Sequence, residues 1–394
     1  MTSTDHSKYL DWLIVGGGTH GVHIAARLLS GKVNCKPRIG IIDPWPSLLY
    51  RWNQCTAATG MQYLRSPAVH NLGIDPFDLQ KFAGKRSRYK QVYFRQPYSR
   101  PSLKFFKKHS EFIINSYGLS DLHIKSRVEK IVALTDSVNV TTESGINLNA
   151  NKLVLAIGSG EHLNWPDWVP ESPNISHLFS QSFTWPENGD HQSLAILGGG
   201  ISAIQAAIHA LHIGYRVNLI SRHELRQHQF DSDPGWLGPK NMSGFIRETS
   251  YKKRRVMIQN ARHKGSAPKE LVAAIRKYIS EEQINFHNAS VLDAKCNGTN
   301  VDLDLDNGTQ ITSSKVLLAT GFKKQRPGGK LIDDLLSSYQ LPVAECGYPI
   351  VDSQLRWHPN IYVSGPLAEL ELGPSARNIA GARSAAARIL GSLN

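Results

Sequence analysis

The feature that most constrains this chain is a pattern written twice. A short apolar strand, Leu13-Ile14-Val15, runs into Gly16-Gly17-Gly18-Thr19-His20-Gly21 and then into a helix of small apolar residues from Val22 to Leu29. Arg38 to Ile42 reads as the next strand, and Asp43 ends it. The same order returns as Leu194 to Leu197, Gly198-Gly199-Gly200-Ile201-Ser202-Ala203, a helix through His212, and a strand from Arg216 to Ile220. Each copy is the strand–helix–strand opening of a doubly wound sheet.

A second repeat follows the first. Val128 to Gly158 reads as an alternating meander closed by Leu153-Val154-Leu155-Ala156-Ile157-Gly158, and Val291 to Gly321 repeats it at a constant offset of 163, closed by Val316-Leu317-Leu318-Ala319-Thr320-Gly321. Repetition on this scale defines an architecture, where one glycine motif alone would not. The expectation is an α/β protein of two doubly wound, dinucleotide-binding (Rossmann-like) domains of three-layer ββα type. Residues 1–190 form the first part of one domain, with an excursion at 51–126. Residues 191–320 form the other domain. Residues 321–394 return to complete the first, through a strand at Ile361 to Gly365 and a helix from Ser375 to Leu390. Gly160 to Asp190, rich in Trp, Pro, Ser and Asn, reads as an irregular crossover.

The glycine loops carry the chemistry. Glycine lets the backbone turn tightly and approach a pyrophosphate, which then sits on a helix N-terminus. Gly16, Gly18 and Gly21 are the first cradle, and Asp43 stands where an acid accepts ribose hydroxyls. An acid there repels a 2′-phosphate, so FAD or NAD suits this site better than NADP, and FAD is the expectation. Gly198, Gly200 and Ser202 are the second cradle. Its strand ends in Ser221-Arg222, and exchange of an acid for a hydroxyl and a guanidinium suits NADPH. The FAD domain is thus the one split by the NADPH domain. Gly158, Thr320 and Gly321, at the ends of the returning strands, are further cofactor-contact candidates.

These motifs, with Ala319-Thr320-Gly321-Phe322, resemble the flavin-dependent monooxygenases, especially the N-hydroxylating branch that acts on lysine or ornithine. Trp52, Met61-Gln62, Leu64-Arg65 and Asp75-Pro76-Phe77 are similar to that branch's segment after the first nucleotide unit, and Arg100-Pro101-Ser102-Leu103 with Phe105-Phe106 to the helix beyond it. Gln62 to Arg65 is shorter than the branch's glutamine-to-lysine interval, so no substrate role is carried over to Arg65. The resemblance implies that NADPH reduces the flavin, that dioxygen adds to it, and that a flavin C4a-hydroperoxide oxygenates a nucleophilic nitrogen or sulfur of a small molecule. Gln62 is then the candidate amide beside the flavin ring and Trp52 part of its wall. Leu372-Gly373 leads into the last helix, whose free N–H groups would face the flavin's pyrimidine carbonyl. Two alternatives stay open: an NAD(P)H-dependent flavoprotein reductase without oxygen insertion, and a non-enzymatic flavin redox sensor or nucleic-acid-binding flavoprotein.

Composition narrows the rest. Cys35, Cys55, Cys296 and Cys346 are scattered without a CxxC, which argues against a disulfide framework or metal site and for a cytoplasmic home. The longest apolar stretches are too short to cross a bilayer, and Met1 to Lys8 lacks the order of a signal peptide. The net charge of +13 includes nine Lys and Arg from Lys85 to Lys108, interleaved with Tyr89, Tyr93, Phe94 and Tyr98, and a cluster at Lys252-Lys253-Arg254-Arg255. No nucleic-acid module accompanies them. A solvated or cofactor-steering surface is expected, with nucleic acid disfavoured and a homo-oligomer allowed. His20 and His177 receive no catalytic role.

Overall fold

The computed structural model describes residues 9–31, 36–84 and 92–391. Met1 to Lys8, Cys35 and the first part of the basic run, 85–91, lie outside them. In the first lobe, β1 (Tyr9–Val15), α1 (Thr19–Leu29) and β2 (Ile39–Asp43) form the expected opening unit. The excursion carries α2 (Tyr50–Ala58) and α3 (Leu103–Ser116) and ends at β3 (His123–Lys125), which joins β2 in parallel. A meander of β4 (Val128–Ala133), β5 (Val138–Thr142) and β6 (Asn147–Leu155) feeds β6 back beside β1.

The second lobe repeats this plan with β8 (Ser193–Leu197), α4 (Ile201–His212) and β9 (Arg216–Ser221). Helices α5 (Pro239–Arg247), α6 (Tyr251–Ala261) and α7 (Lys269–Ser280) precede β10 (Ile284–Asn288). A meander of β11 (Val291–Asn297), β12 (Asn300–Leu305) and β13 (Gln310–Ser313) leads to β14 (Lys315–Leu318). Its parallel sheet runs β10-β9-β8-β14-β7, where β7 is Ile175–His177. The crossover read as irregular therefore supplies a strand, too short to stand out among the prolines and serines around it. The tail adds β15 (Arg356–His358) and β16 (Ile361–Val363), so the first sheet runs β15-β16-β6-β1-β2-β3, with the β4–β5 hairpin attached through β5.

The three layers follow from the alternation of side chains along β8. Leu194 and Ile196 face Ala203, Ile204, Ala206 and Ala207 of α4, while Ala195 and Leu197 face Val301, Leu303 and Ile311 of the meander. A strand buried on both faces must be apolar throughout, and β8 is. The last helix, α8 (Ile379–Gly391), packs along α1. It starts four residues later than Ser375. Pro374–Arg377 is a single 3₁₀ turn, and Asn378 is extended, which breaks the helix there.

Candidate dinucleotide sites

The two glycine loops are built alike, bond for bond. Gly16 N–H donates to Ile42 O at 2.8 Å and Gly198 N–H to Ile220 O at 2.9 Å; Ala156 N–H donates to Val15 O and Ala319 N–H to Leu197 O, both at 2.9 Å. Gly16 has φ +114° and Gly198 φ +144°, backbone that L side chains rarely adopt. A Cβ on Gly21 would fall 1.8 Å from Gly16 O, so α1 can press against the loop only with glycine there. The second loop tolerates Ala203, whose Cβ would stand 3.1 Å from one built on Gly198.

Neither α1 nor α4 has a side-chain cap, although α3 is capped by Ser102 and α6 by Ser250. The N–H groups at the start of α1 thus keep their donors for a ligand, and a Cβ on Gly18 would meet nothing within 4 Å. Behind this opening Asp43 accepts from Gly17 N–H at 2.6 Å and Trp45 N–H at 3.1 Å, one bond to each oxygen. Each oxygen keeps a lone pair, so the carboxylate can brace the loop and still receive a ribose hydroxyl. Burial pushes its pKa above the ordinary value, against the two N–H donors and the charges of His123 and Arg127. Leu49 N–H donates to Gly17 O at 2.8 Å, so α2 begins on the same loop.

At the second loop the acid's place is taken by Ser221. Its buried hydroxyl donates to His223 O at 2.7 Å. Arg222 is exposed and makes no hydrogen bond or ion pair among the described residues. Lys264 beside Gly265 has its pKa lowered by burial and by the charges of Lys324 and Arg262. Gly265 closes on the loop, its Cα 3.4 Å from a Cβ built on Gly200. The rings of His228 and His263 stack nearby in the chain, 3.8 Å apart and nearly parallel.

Thr320 has a definite job. Its hydroxyl donates to Asn164 O at 2.5 Å and faces His177 Nε2 at 3.3 Å. His177 Nδ1 accepts from Phe179 N–H at 3.1 Å, which places the imidazole proton on Nε2, facing Thr320. Burial pushes His177 down to about 4, against a hydrogen bond that the ring donates to the Gly321 backbone, so the ring is neutral at pH 7. Gly321 O accepts from Asn164 N–H at 3.0 Å. Gly158 stands just past β6, with open space at its Cβ position.

Trp52, half-buried on α2, packs on Phe106 with centroids 5.3 Å apart. Gln62 is exposed and lines a cavity of about 190 Å³ between the lobes, with Arg65, Arg100, Gln205 and Glu270. Arg65 donates to the carbonyls of His228, Gln229 and Phe230 and to Ser266 Oγ, at 2.7–3.0 Å, and so clamps the excursion to the second lobe. Trp185 Nε1–H adds a bond to Ala58 O at 2.7 Å, and Arg51 one to Phe179 O. Nothing in the sequence marks these partners, which stand more than a hundred residues away.

The basic clusters are only in part the solvated surface expected: Arg95, Lys104 and Lys108 are exposed, but other members are drawn into ion pairs. Arg100 is buried and paired with Glu270 at 2.5 Å, and Arg95 lies over the Tyr63 ring. Arg255 and Arg377 both pair with Glu369, which is 1% exposed, and Arg254 and Arg388 with Glu371. Only Lys252 and Lys253 of that cluster keep the solvent-facing role. The reason is that α6 lies against the acidic tail Glu369-Leu370-Glu371-Leu372, which needs cations. Leu372 is buried there, and Gly373, φ +74°, lies beneath Met242 and Phe245 of α5. The free helix end proposed at Ser375 is thus a 3₁₀ turn in the tail, with Ala376 N–H already bonded to Gly373 O.

Two dinucleotide loops of the same build, one in each lobe, define a two-nucleotide oxidoreductase. The chain belongs to the pyridine nucleotide-disulphide oxidoreductase family, whose profile matches residues 10–386. Solved structures of the same fold include the reduced ornithine hydroxylase of Pseudomonas aeruginosa, 17% identical over 98% of both chains, with a TM-score of 0.76. The FAD-bound cadaverine monooxygenase of desferrioxamine biosynthesis from Erwinia amylovora is 17% identical over 98% of this chain and 95% of its own, with a TM-score of 0.71. The bacillithiol disulfide reductase of Staphylococcus aureus is 16% identical over 98% and 99%, with a TM-score of 0.61. No curated protein matches the sequence. No helix among the described residues is long and apolar enough to cross a membrane.

Proposed function

We propose that this chain is an FAD-dependent, NADPH-consuming monooxygenase that oxygenates a nucleophilic nitrogen or sulfur of a small molecule, with dioxygen as co-substrate, in the cytoplasm. The observation that carries this reading is the pair of uncapped helix starts at matching points of the repeat. One is backed by the carboxylate of Asp43, the other by the hydroxyl of Ser221 with the exposed Arg222 next in the chain. The first fits FAD, whose pyrophosphate would lie on Gly16, Gly18 and Gly21 and whose ribose would meet Asp43. The second fits NADPH on Gly198, Gly200 and Ser202, with Arg222 free to meet the 2′-phosphate. The likeness to N-hydroxylating monooxygenases supports oxygenation. Simple disulfide reduction is disfavoured because the sequence has no CxxC and, among the described residues, Cys55, Cys296 and Cys346 form no disulfide.

When bound, the flavin and nicotinamide supply hydride and oxygen chemistry. The chain's own part is to hold and shield them. Arg65, Arg51 and Trp185 lock the lobes together, keeping water from the gap. Trp52, fixed against Phe106, would wall the first site, and Gln62 would offer its amide from the junction. Thr320 and Gly321, held to the crossover through Asn164 and His177, would border the second site, as Gly158 would the first. The lobes are assigned as residues 1–190 with 321–394 and 191–320, with β7 lent by the first segment to the second lobe's sheet.

The test is turnover by the purified, FAD-loaded protein on a panel of amines and thiols, scored as oxygenated product per NADPH. Coupled product with NADPH preferred over NADH is expected. NADPH consumption that reduces an artificial acceptor while no amine or thiol gains oxygen overturns the oxygenase reading in favour of a reductase.

A further inference from the structure

The cavity between the lobes contains an unused cationic edge. Arg100 is 2% exposed, and its Nη1 is taken by Glu270 at 2.5 Å. Its Nε and Nη2 are buried and have no partner. Those two nitrogens share one edge of the planar guanidinium, the edge that grips both oxygens of a carboxylate at once. Buried donors in a folded protein are ordinarily satisfied, and leaving two of them on one charged group is costly. A second atom in the same wall is also unmatched, since Gln205 Oε1 on α4 is buried without a partner. The remaining charge on the lining favours an anion, with Arg65 and Arg95 present against the one acid, Glu270. Arg65 gives its N–H groups to carbonyls and a hydroxyl, which leaves its charge uncancelled.

We infer that this cavity is a binding site for a small monocarboxylate, held two-pronged by Arg100 Nε and Nη2. A volume of about 190 Å³ has room for a ligand of a few carbons. Glu270, hard against the same guanidinium, disfavours a dianion such as phosphate. A hydroxyl on the ligand would satisfy Gln205 Oε1, so lactate should bind better than propionate. The site joins the excursion, α4 and the start of α7, so its occupant would touch both lobes. The inference does not depend on the monooxygenase reading, because it concerns binding and needs no turnover.

The experiment is calorimetric titration of the FAD-loaded protein with sodium lactate, sodium propionate and inorganic phosphate, at ionic strength held constant with chloride. Saturable carboxylate binding is expected. Arg100→Lys, which keeps the charge and loses the fork, should weaken it about tenfold. Glu270→Gln, which removes the competing carboxylate, should tighten it. This second variant keeps the test decisive should Arg100→Lys not fold. Absence of saturable binding in both wild type and Glu270→Gln overturns the site. Unchanged affinity in Arg100→Lys removes Arg100 from it, and tighter binding of phosphate than of either carboxylate overturns the ligand class.

Discussion

Replacing Glu369 by Gln isolates the charge that joins α6 to the tail. The carboxylate is buried between Arg255 and Arg377, with Arg377 Nε 2.6 Å away and Nη2 donating at 3.0 Å. Removing one partner of a buried pair costs about 3–5 kcal/mol, because the remaining charge is left unmatched. Arg377 is 24% exposed and can turn partly to water, and glutamine can still accept one bond, so the low end, about 3 kcal/mol, applies here. With unfolding entropy of about 2.1 cal/mol/K per residue, a cooperative chain of this size has roughly 0.8 kcal/mol/K, and the melting temperature should fall by about 4 °C at pH 7. The loss depends on pH. Burial pushes the pKa of Glu369 up, but the bonds and charges of Arg377 and Arg255 outweigh it and hold the value below 4.5. A lowered carboxylate pKa gives stability that is fully present above the unfolded value and fades as pH falls through the folded one. Wild type and variant should therefore converge below about pH 4.5. Calorimetry across about pH 3.5–8, a window that brackets that convergence, is the assay. Glu345→Gln, which breaks the exposed Lys252 pair on the same helix, is the control and should shift melting by less than about 1 °C. A shift under about 1 °C for Glu369→Gln at pH 7, or one that does not narrow in acid, would refute the assignment of that energy to the pair.

Asp43→Ala should weaken FAD retention about tenfold or more, since a charged acceptor of both loop and ribose bonds is lost; flavin fluorescence after gel filtration measures it, and undiminished retention rejects the ribose role. Arg222→Ala should raise KM for NADPH about tenfold and leave that for NADH nearly unchanged. Equal effects would take Arg222 out of the phosphate site. Arg65→Met should leave FAD bound but speed amide exchange at residues 228–231, where its guanidinium now holds the carbonyls. Unaltered exchange there would show that the clamp is made elsewhere.

How far the sequence could be read depended on the reach of each interaction. The glycine loops were legible because each is a local device: Gly16, Gly21 and Asp43 are bound by steric and hydrogen-bond needs within one strand–helix–strand unit. The meanders were legible because alternation along Val138 and Val140 or Val301 and Leu303 reports burial on one face. What escaped was every contact between lobes. Arg254 and Arg255 looked like surface cations because their acids, Glu371 and Glu369, lie more than a hundred residues further on. Arg100 looked like part of a solvated run for the same reason, its partner being Glu270.

The tail shows the limit most sharply. Leu372-Gly373-Pro374 carries the local signals of a helix start, yet the helix begins at Ile379. Pro374 fixes φ, and the turn it opens closes at once through Ala376 N–H to Gly373 O, while α5 covers Gly373 from above. Propensity placed a helix end within reach of a ligand, and packing moved it. A site assembled from two lobes cannot be read from either lobe's local rules. The cations that looked free are mostly ones that hold the lobes and tail together, and Arg100, one of those with an edge still unmatched, lines the cavity between the lobes.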